Sequence, residues 1–262
     1  MSKGNLFSLK SRAKSASSIA DISKAMNLVA STKYRRSKFD LENIKEYAKE
    51  LTAIAKAFPA RNRYNGKALL IALYSDRGFC GSYNNLVTKK YEQFIESLQS
   101  LPHEVLVVGK RGHIQSDSTT EKISMDDKDL YKLAEELKQK MLKSYLQGTK
   151  IYLIYGRYNS FKVNPVVEEV SLKGYKGDKE SNELFIASAE DVYRELLDKY
   201  IAAYIYRALV SAKTSEHYSR MLSMKTANDN AEELITSLKL EHNKARQAII
   251  TQEILEIVGG TH

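Results

Sequence analysis

Residues 6–58 read LFSLKSRAKSASSIADISKAMNLVASTKYRRSKFDLENIKEYAKELTAIAKAF. Within them Leu6, Leu9, Ala13, Ala16, Ala20, Ser23, Asn27, Ala30, Tyr34, Ser37, Leu41, Ile44, Ala48, Leu51, Ala55 and Phe58 fall at alternating spacings of three and four. A period sustained near 3.5 residues predicts a helix that winds left-handedly around a partner. Small residues dominate the stripe, which permits close axial approach. No proline occurs before Pro59, so the helix is read as continuous from residue 3 to Phe58, on the order of 80 Å long.

The other end of the chain carries the same code. Ala231, Leu234, Leu238, Glu241, Ala245, Ala248, Gln252 and Leu255 repeat at 3-4 spacing, and no glycine lies between Gly177 and Gly259. A second helix is therefore expected from Ser188, with Asp191 three residues on as a weak capping partner, to about Val258, on the order of 100 Å. Helices at both ends with a different pattern between them predict an α/β protein with an antiparallel two-helix coiled coil. The domains read as a coiled-coil helix over 1–58, a small Rossmann-like βαβ domain over 59–188, and a second coiled-coil helix over 189–262. If both helices leave the middle domain at Phe58 and Ala189, facing residue numbers sum to about 247. Leu6 then lies near Glu241 and Met26 near Met221, and residues past Arg246 have no partner helix.

The middle alternates short apolar runs with amphipathic stretches. Ala68–Tyr74, Glu104–Gly109 and Lys150–Tyr155 read as buried parallel strands, and Val166–Leu172 as a fourth. Leu86–Leu101 and Asp126–Leu146 read as helices, with Ser75–Asn85 a polar turn. Strand–helix–strand order is the rhythm of a small parallel sheet.

Net charge is +9. Residues 1–38 hold Lys3, Lys10, Arg12, Lys14, Lys24, Lys33, Arg35, Arg36 and Lys38 against Asp21 alone, so the surface predicts an acidic partner: nucleic acid, anionic lipid or acidic protein loops. Cys80 is the only cysteine, which rules out an internal disulfide and favours a reducing compartment. No apolar run approaches the roughly 20 residues that span a bilayer. The acid-free, Ser- and Lys/Arg-rich first 20 residues have the composition of a transit peptide. The 3-4 pattern, however, starts at Leu6 and continues without a break, so helix is the better reading.

No motif for catalysis emerges. The phosphate-loop pattern and G-x-G-x-x-G are absent. Ser75-Asp-Arg-Gly-Phe-Cys-Gly81 follows a strand and precedes a helix, so its amides are able to hold an anion. A tight turn that uses glycine for unusual dihedrals is the favoured reading. Cys80 lacks a base, and His103, His113, His217, His242 and His262 form no triad or metal spacing. Glu135-Glu136, Glu168-Glu169 and Glu232-Glu233 read as solvated faces, not acid/base dyads. Lys33-Tyr-Arg-Arg-Ser-Lys38 is the strongest basic patch. As a nucleic-acid site it combines phosphate contacts with one stacking ring, Tyr34. The alternatives are a solvated helix face and docking to acidic protein loops. No cofactor is expected.

Three segments carry a family resemblance. Ile22-Ser-Lys-Ala-Met-Asn-Leu-Val-Ala-Ser-Thr-Lys33 resembles the N-terminal signature of the gamma subunit of F-type ATP synthases. Ser75-Asp-Arg-Gly-Phe-Cys-Gly-Ser-Tyr-Asn84 resembles that family's middle turn. Ser215-Glu-His-Tyr-Ser-Arg-Met-Leu-Ser-Met-Lys-Thr-Ala-Asn-Asp-Asn230 with Asn243–Val258 resembles its C-terminal signature. The resemblance spans the chain. It implies an asymmetric shaft turning inside three alpha and three beta subunits, one gamma per three alpha-beta pairs, in a complex peripheral to the cytoplasmic side of the cell membrane. It further implies contact with an epsilon subunit and a membrane c-ring through residues 59–188, no chemistry on this chain, and no nucleic acid.

On that resemblance Arg246 and Gln247 match residues that hydrogen-bond a beta-subunit catch loop, with Thr251 beside them. Met26 and Arg220 match the pair facing the acidic lever of beta. Ile249, Ile250, Ile254, Leu255 and Val258 match the shaft tip, which turns in an apolar sleeve. One departure is that the region between the strand at Lys150 and the last helix is short, its proline segment reduced to Asn164-Pro165. That admits a variant in which the ATPase is not coupled to an ion channel. A basic coiled-coil nucleic-acid binder and a small nucleotide-binding βαβ enzyme are the competing classes.

Overall fold

The computed structural model describes residues 3–56, 64–98, 101–112, 121–125, 129–171 and 189–259. The expected helix stop at Pro59 and start at Ser188 lie outside them. The elements are α1 (Lys3–Lys56), β1 (Ala68–Leu73), α2 (Tyr83–Ser97), β2 (His103–Val108), β3 (Glu121–Ile123), α3 (Leu130–Leu146), β4 (Lys150–Asn159), β5 (Lys162–Val170) and α4 (Ala189–Gly259). Two compact units result. One comprises residues 1–30 and 220–262, the other residues 31–219.

In the first unit the N-terminal part of α1 pairs with the C-terminal part of α4. Leu9, Ala16, Ser23 and Ala30 are buried at strict heptad spacing, and Met224, Ala231, Leu238 and Ala245 repeat the spacing on α4. Leu9 packs with Leu238 and Ala245, and Leu6 and Ala13 lean on the same cluster. Asn27 Nδ2 donates to the Met221 carbonyl at 2.7 Å. Both observations agree with the antiparallel register read from the sequence. The α4 seam needs correction by one position per heptad. Leu234 is 46% exposed and Glu241, Ala248, Gln252 and Leu255 are exposed, whereas Ile235, His242 and Ile249 are partly buried. Steps of three or four from Ala231 fit a 3.5-residue period equally well, and Leu234 is as apolar as Ile235, so the pattern alone could not choose.

The second unit is built on a five-stranded sheet of order β3-β2-β1-β4-β5. β1 pairs in parallel with β2 and β4, and β2 with β3, while β5 runs antiparallel to β4. The sheet is therefore mixed. β5 starts at Lys162 because the Asn159–Lys162 hairpin turns the chain directly back, with Ser160 and Phe161 at positive φ. β3 carried no apolar run that the sequence could reveal. α2 starts three residues before the expected Leu86 and ends before Leu101, and α3 starts at Leu130, capped by Asp129, whose side chain accepts from the Tyr131 amide.

Every residue of β1 is buried, and its side chains alternate between two cores. Leu69, Ile71 and Leu73 join α3 residues Leu133, Leu137 and Met141 and α4 residues Leu197, Ile201, Ile205 and Leu209. Ala68, Leu70, Ala72 and Tyr74 join α2 residues Tyr83, Val87 and Tyr91. A strand buried on both faces reads as an unbroken apolar run, which is why Ala68–Tyr74 was legible. Lys138 ties α3 to α4, donating to Asp198 at 3.0 Å and pairing with Glu135 at 2.7 Å.

Burial leaves several tyrosines resistant to ionisation. It pushes Tyr74 and Tyr204 up to about 12, and Tyr83 well above its ordinary value. The unfolded chain releases such protons near pH 10. Folded values above the unfolded one stabilise the fold fully below about pH 10, a contribution lost as pH rises towards about 12. An alkaline titration should thus show a fraction of tyrosinate absorbance that appears only together with loss of helical circular dichroism. Complete tyrosinate formation with the helix signal intact would contradict this.

Candidate functional site

The turn after β1 is fully engaged within the protein. Ser75 is buried, and its amide donates to Asn84 Oδ1 at 3.0 Å while its hydroxyl donates to the Arg77 carbonyl at 2.9 Å. Asn84 Nδ2 returns a bond to Ser75 Oγ at 2.8 Å. Asp76 accepts from the Lys110 amide at 2.7 Å and from Ser124 Oγ at 2.9 Å, which stitches the end of β1 to the residues that follow β2 and β3. Its carboxylate is spent on protein donors, so the turn is a structural clasp, with Phe79 exposed at its crest at φ +60°. Cys80 is buried, with Ser75 Oγ and Asn84 Nδ2 each 3.5 Å from its sulfur. Among the described residues no group of three or more His, Cys, Asp or Glu is placed to hold a metal.

Two expectations about charged and aromatic groups are corrected. Glu168 does not lie on a solvated face: its side chain is 9% exposed and takes Arg157 on one oxygen and Arg207, at 2.8 Å, on the other. Tyr34 is no stacking platform. It is buried against Tyr158 and Tyr218, while Lys33, Arg35 and Arg36 beside it are exposed. A basic patch without an accessible ring lacks the element that grips single-stranded bases.

Sequence reasoning also missed a run of buried polar groups on α4. From Ala208 to Glu216 every residue is buried. Lys213 and Glu216 form an ion pair at 3.0 Å with side chains 9% and 4% exposed, and Ser215 Oγ donates to the Gly156 carbonyl at 2.6 Å. The signal lay in the Ser215–Asn230 segment, but polar residues at helical spacing do not announce burial.

The candidate docking residues fall in the first unit. Met26 is partly buried beside Asn27, whose partner Met221 adjoins Arg220, so Met26 and Arg220 lie at one level of the helix pair. Arg220 is 8% exposed. Arg246, Gln247 and Thr251 are exposed, as are Ile250, Ile254, Leu255 and Val258, while Ile249 is partly buried. Ile257, 71% exposed, joins Ile250 and Ile254 at helical spacing. A second stripe on α1 runs through the exposed Ile19, Ile22 and Val29 and the partly buried Met26. It parallels the buried Ala20, Ser23 and Ala30 and the partly buried Asn27 one residue away, so the 3-4 pattern concealed it behind the seam. Exposed apolar rows of this kind mark contact with other molecules.

An antiparallel helix pair ending in exposed apolar rows, together with a doubly wound α/β unit, defines a class of protein built to be held by others. The ATP synthase family model matches residues 5–262. ATP synthase gamma chains are similar over nearly the whole length. That of Staphylococcus aureus is 32% identical, with 98% of each chain covered, and that of Halothermothrix orenii is 31% identical, with 96% of each covered. The chain belongs to the gamma-chain family of ATP synthases. The fold is shared with a chain of the Euglena gracilis mitochondrial ATP synthase at a TM-score of 0.74 and 16% identity, covering 99% of this chain and 94% of that one. A chain from the central stalk and c-ring of the Tetrahymena thermophila mitochondrial enzyme matches at 0.62 and 19%, covering 79% and 99%.

Proposed function

We propose that the chain is the central rotor shaft of a rotary ATPase and couples rotation to nucleotide affinity at catalytic beta subunits. The observation that carries this reading is the helix pair itself: residues 250–258 of α4 are all exposed, with five large apolar side chains among them. Water would disfavour that surface at roughly 25 cal/mol per Å², so it fits a surrounding apolar sleeve. The nucleic-acid alternative finds no support in the family assignment or in the buried Tyr34.

A shaft acts by differential contact. It presents different side chains to each of three surrounding pairs and thereby biases each towards a different affinity. On this reading Met26, Arg220, Arg246, Gln247 and Thr251 meet beta, and Ile249, Ile250, Ile254, Leu255 and Val258 form the turning tip. Ile22 and Val29 extend the Met26 contact. The exposed Lys10, Arg12, Lys14 and Lys24 attract acidic loops. The chain performs no bond chemistry, and residues 59–188 meet the epsilon subunit and the c-ring. Among the described residues no helix is long and apolar enough to cross a membrane, which fits a peripheral place on the cytoplasmic side. The shortened middle region leaves room for the within-family variant uncoupled from ion flow.

Met26→Lys tests the contact. It adds a cation to a partly buried row beside Arg220, and is expected to cut the work extracted per ATP by more than about half while leaving hydrolysis measurable. Rotation assays on the assembled complex read both. Full coupling in the mutant would overturn the assignment of Met26.

A further inference from the structure

The second unit contains a triangle of tyrosines that neither catalysis nor docking uses. Tyr34 of α1, Tyr158 of β4 and Tyr218 of α4 are all buried. Their ring centroids stand 5.5, 5.4 and 5.5 Å apart, and two of the three contacts are edge-to-face. The Tyr34 and Tyr158 hydroxyls are 2.5 Å apart, and the Phe161 amide donates to the Tyr158 hydroxyl at 3.4 Å. Burial, and then the Tyr158 hydroxyl, push Tyr34 far above its ordinary value, so its hydroxyl stays protonated across the physiological range.

The position of the triangle is as informative as its geometry. Tyr34 is the fourth residue of the unit and Tyr218 its last but one, so the rings sit where each long helix enters or leaves it. Tyr158 belongs to β4, which pairs with β1 over Lys150–Ile154 and carries on past it, so that Tyr158 itself lies opposite Val163 of β5. α4 has a second tie to β4 three residues earlier, through Ser215 and Gly156. Two helices that merely touch can roll over one another. Two helices fastened to each other and to a strand of the sheet cannot roll without separating at least two ring pairs, each worth about 0.5–1.5 kcal/mol beyond its buried area.

We propose that Tyr34, Tyr158 and Tyr218 form a twist brace: positioning residues that carry torque from α1 and α4 into the sheet instead of letting one helix roll on the other. The inference rests on the rotor-shaft reading. It concerns stiffness of the shaft, not its contacts with the surrounding subunits.

The test uses the complete complex with this chain in place and follows single-molecule rotation. Tyr158→Phe keeps all three rings and removes the hydroxyl pair. It is expected to widen the angular spread at each dwell by at least about two-fold. Tyr34→Phe should do the same, and the double variant should be no worse than either, because one bond is lost in all three. Tyr218→Phe keeps the ring that closes the triangle and should leave the spread as in the wild type. An unchanged spread in Tyr158→Phe and Tyr34→Phe, with thermal unfolding shifted down, would show a bond that only stabilises the fold and would overturn the brace. A wild-type complex that assembles without rotating would instead overturn the shaft reading.

Discussion

Replacing Gly109 with alanine is expected to destabilise the second unit severely. Gly109 sits at the end of β2 with φ +112°, a conformation that disfavours any side chain, and its amide donates to the Ile123 carbonyl at 2.7 Å. A Cβ there would be driven into the Tyr74 carbonyl, with the carbonyl carbon at 2.5 Å and Tyr74 Cβ at 3.0 Å. The obstruction is backbone of the strand register between β1 and β2, so no rotamer change relieves it. Strain and overlap together should cost on the order of 4 kcal/mol, a large share of the 5–15 kcal/mol typical of a whole domain. Gly66→Ala is the control. Gly66 also has positive φ, at +81°, but nothing lies within 4 Å of its added Cβ, so the cost should stay near 1 kcal/mol. Denaturant unfolding of both variants measures the contrast, and similar losses in the two would refute the steric account.

Lys213→Met should be nearly as damaging, for a different reason. Its ammonium is the partner of Glu216, and both side chains are buried. Removing the cation takes the ammonium from a buried carboxylate, at a cost of about 3–5 kcal/mol. Glu216→Leu alone strands the cation in the same way. The double variant Lys213→Met/Glu216→Leu removes both charges and fills the space with apolar volume. It should therefore recover most of the stability, a coupling of about 2 kcal/mol or more. Additive losses would show that the pair is not the cause. The recovered double variant also separates folding from function, because it restores the helix while deleting its buried charges.

The two long helices were legible because their signal is redundant: fifteen positions of α1 obey one spacing, and every one of them whose burial is described is buried or partly buried. The register was legible because the chain has to turn back on itself between its ends. What failed did so for identifiable physical reasons. Leu234 and Ile235 are equivalent to a hydropathy pattern, and only packing against α1 chooses Ile235. β3 is three residues long and takes its place from pairing with β2, not from its own composition. Glu168 looks like any surface carboxylate until Arg157 and Arg207 converge on it from β4 and α4. At the candidate site, the exposed row through Ile22 and Val29 was hidden because it runs one residue from the seam. The tyrosine triangle draws on residues 34, 158 and 218, which no local pattern connects.

Native mass spectrometry of the complex purified through this chain tests the central claim most directly. A shaft predicts one copy of the chain for every three copies of each of two larger, ATP-binding subunits, with the ratio preserved in high salt because apolar contacts hold the tip. A chain recovered alone, or at equal copy number with those subunits, would contradict the assignment.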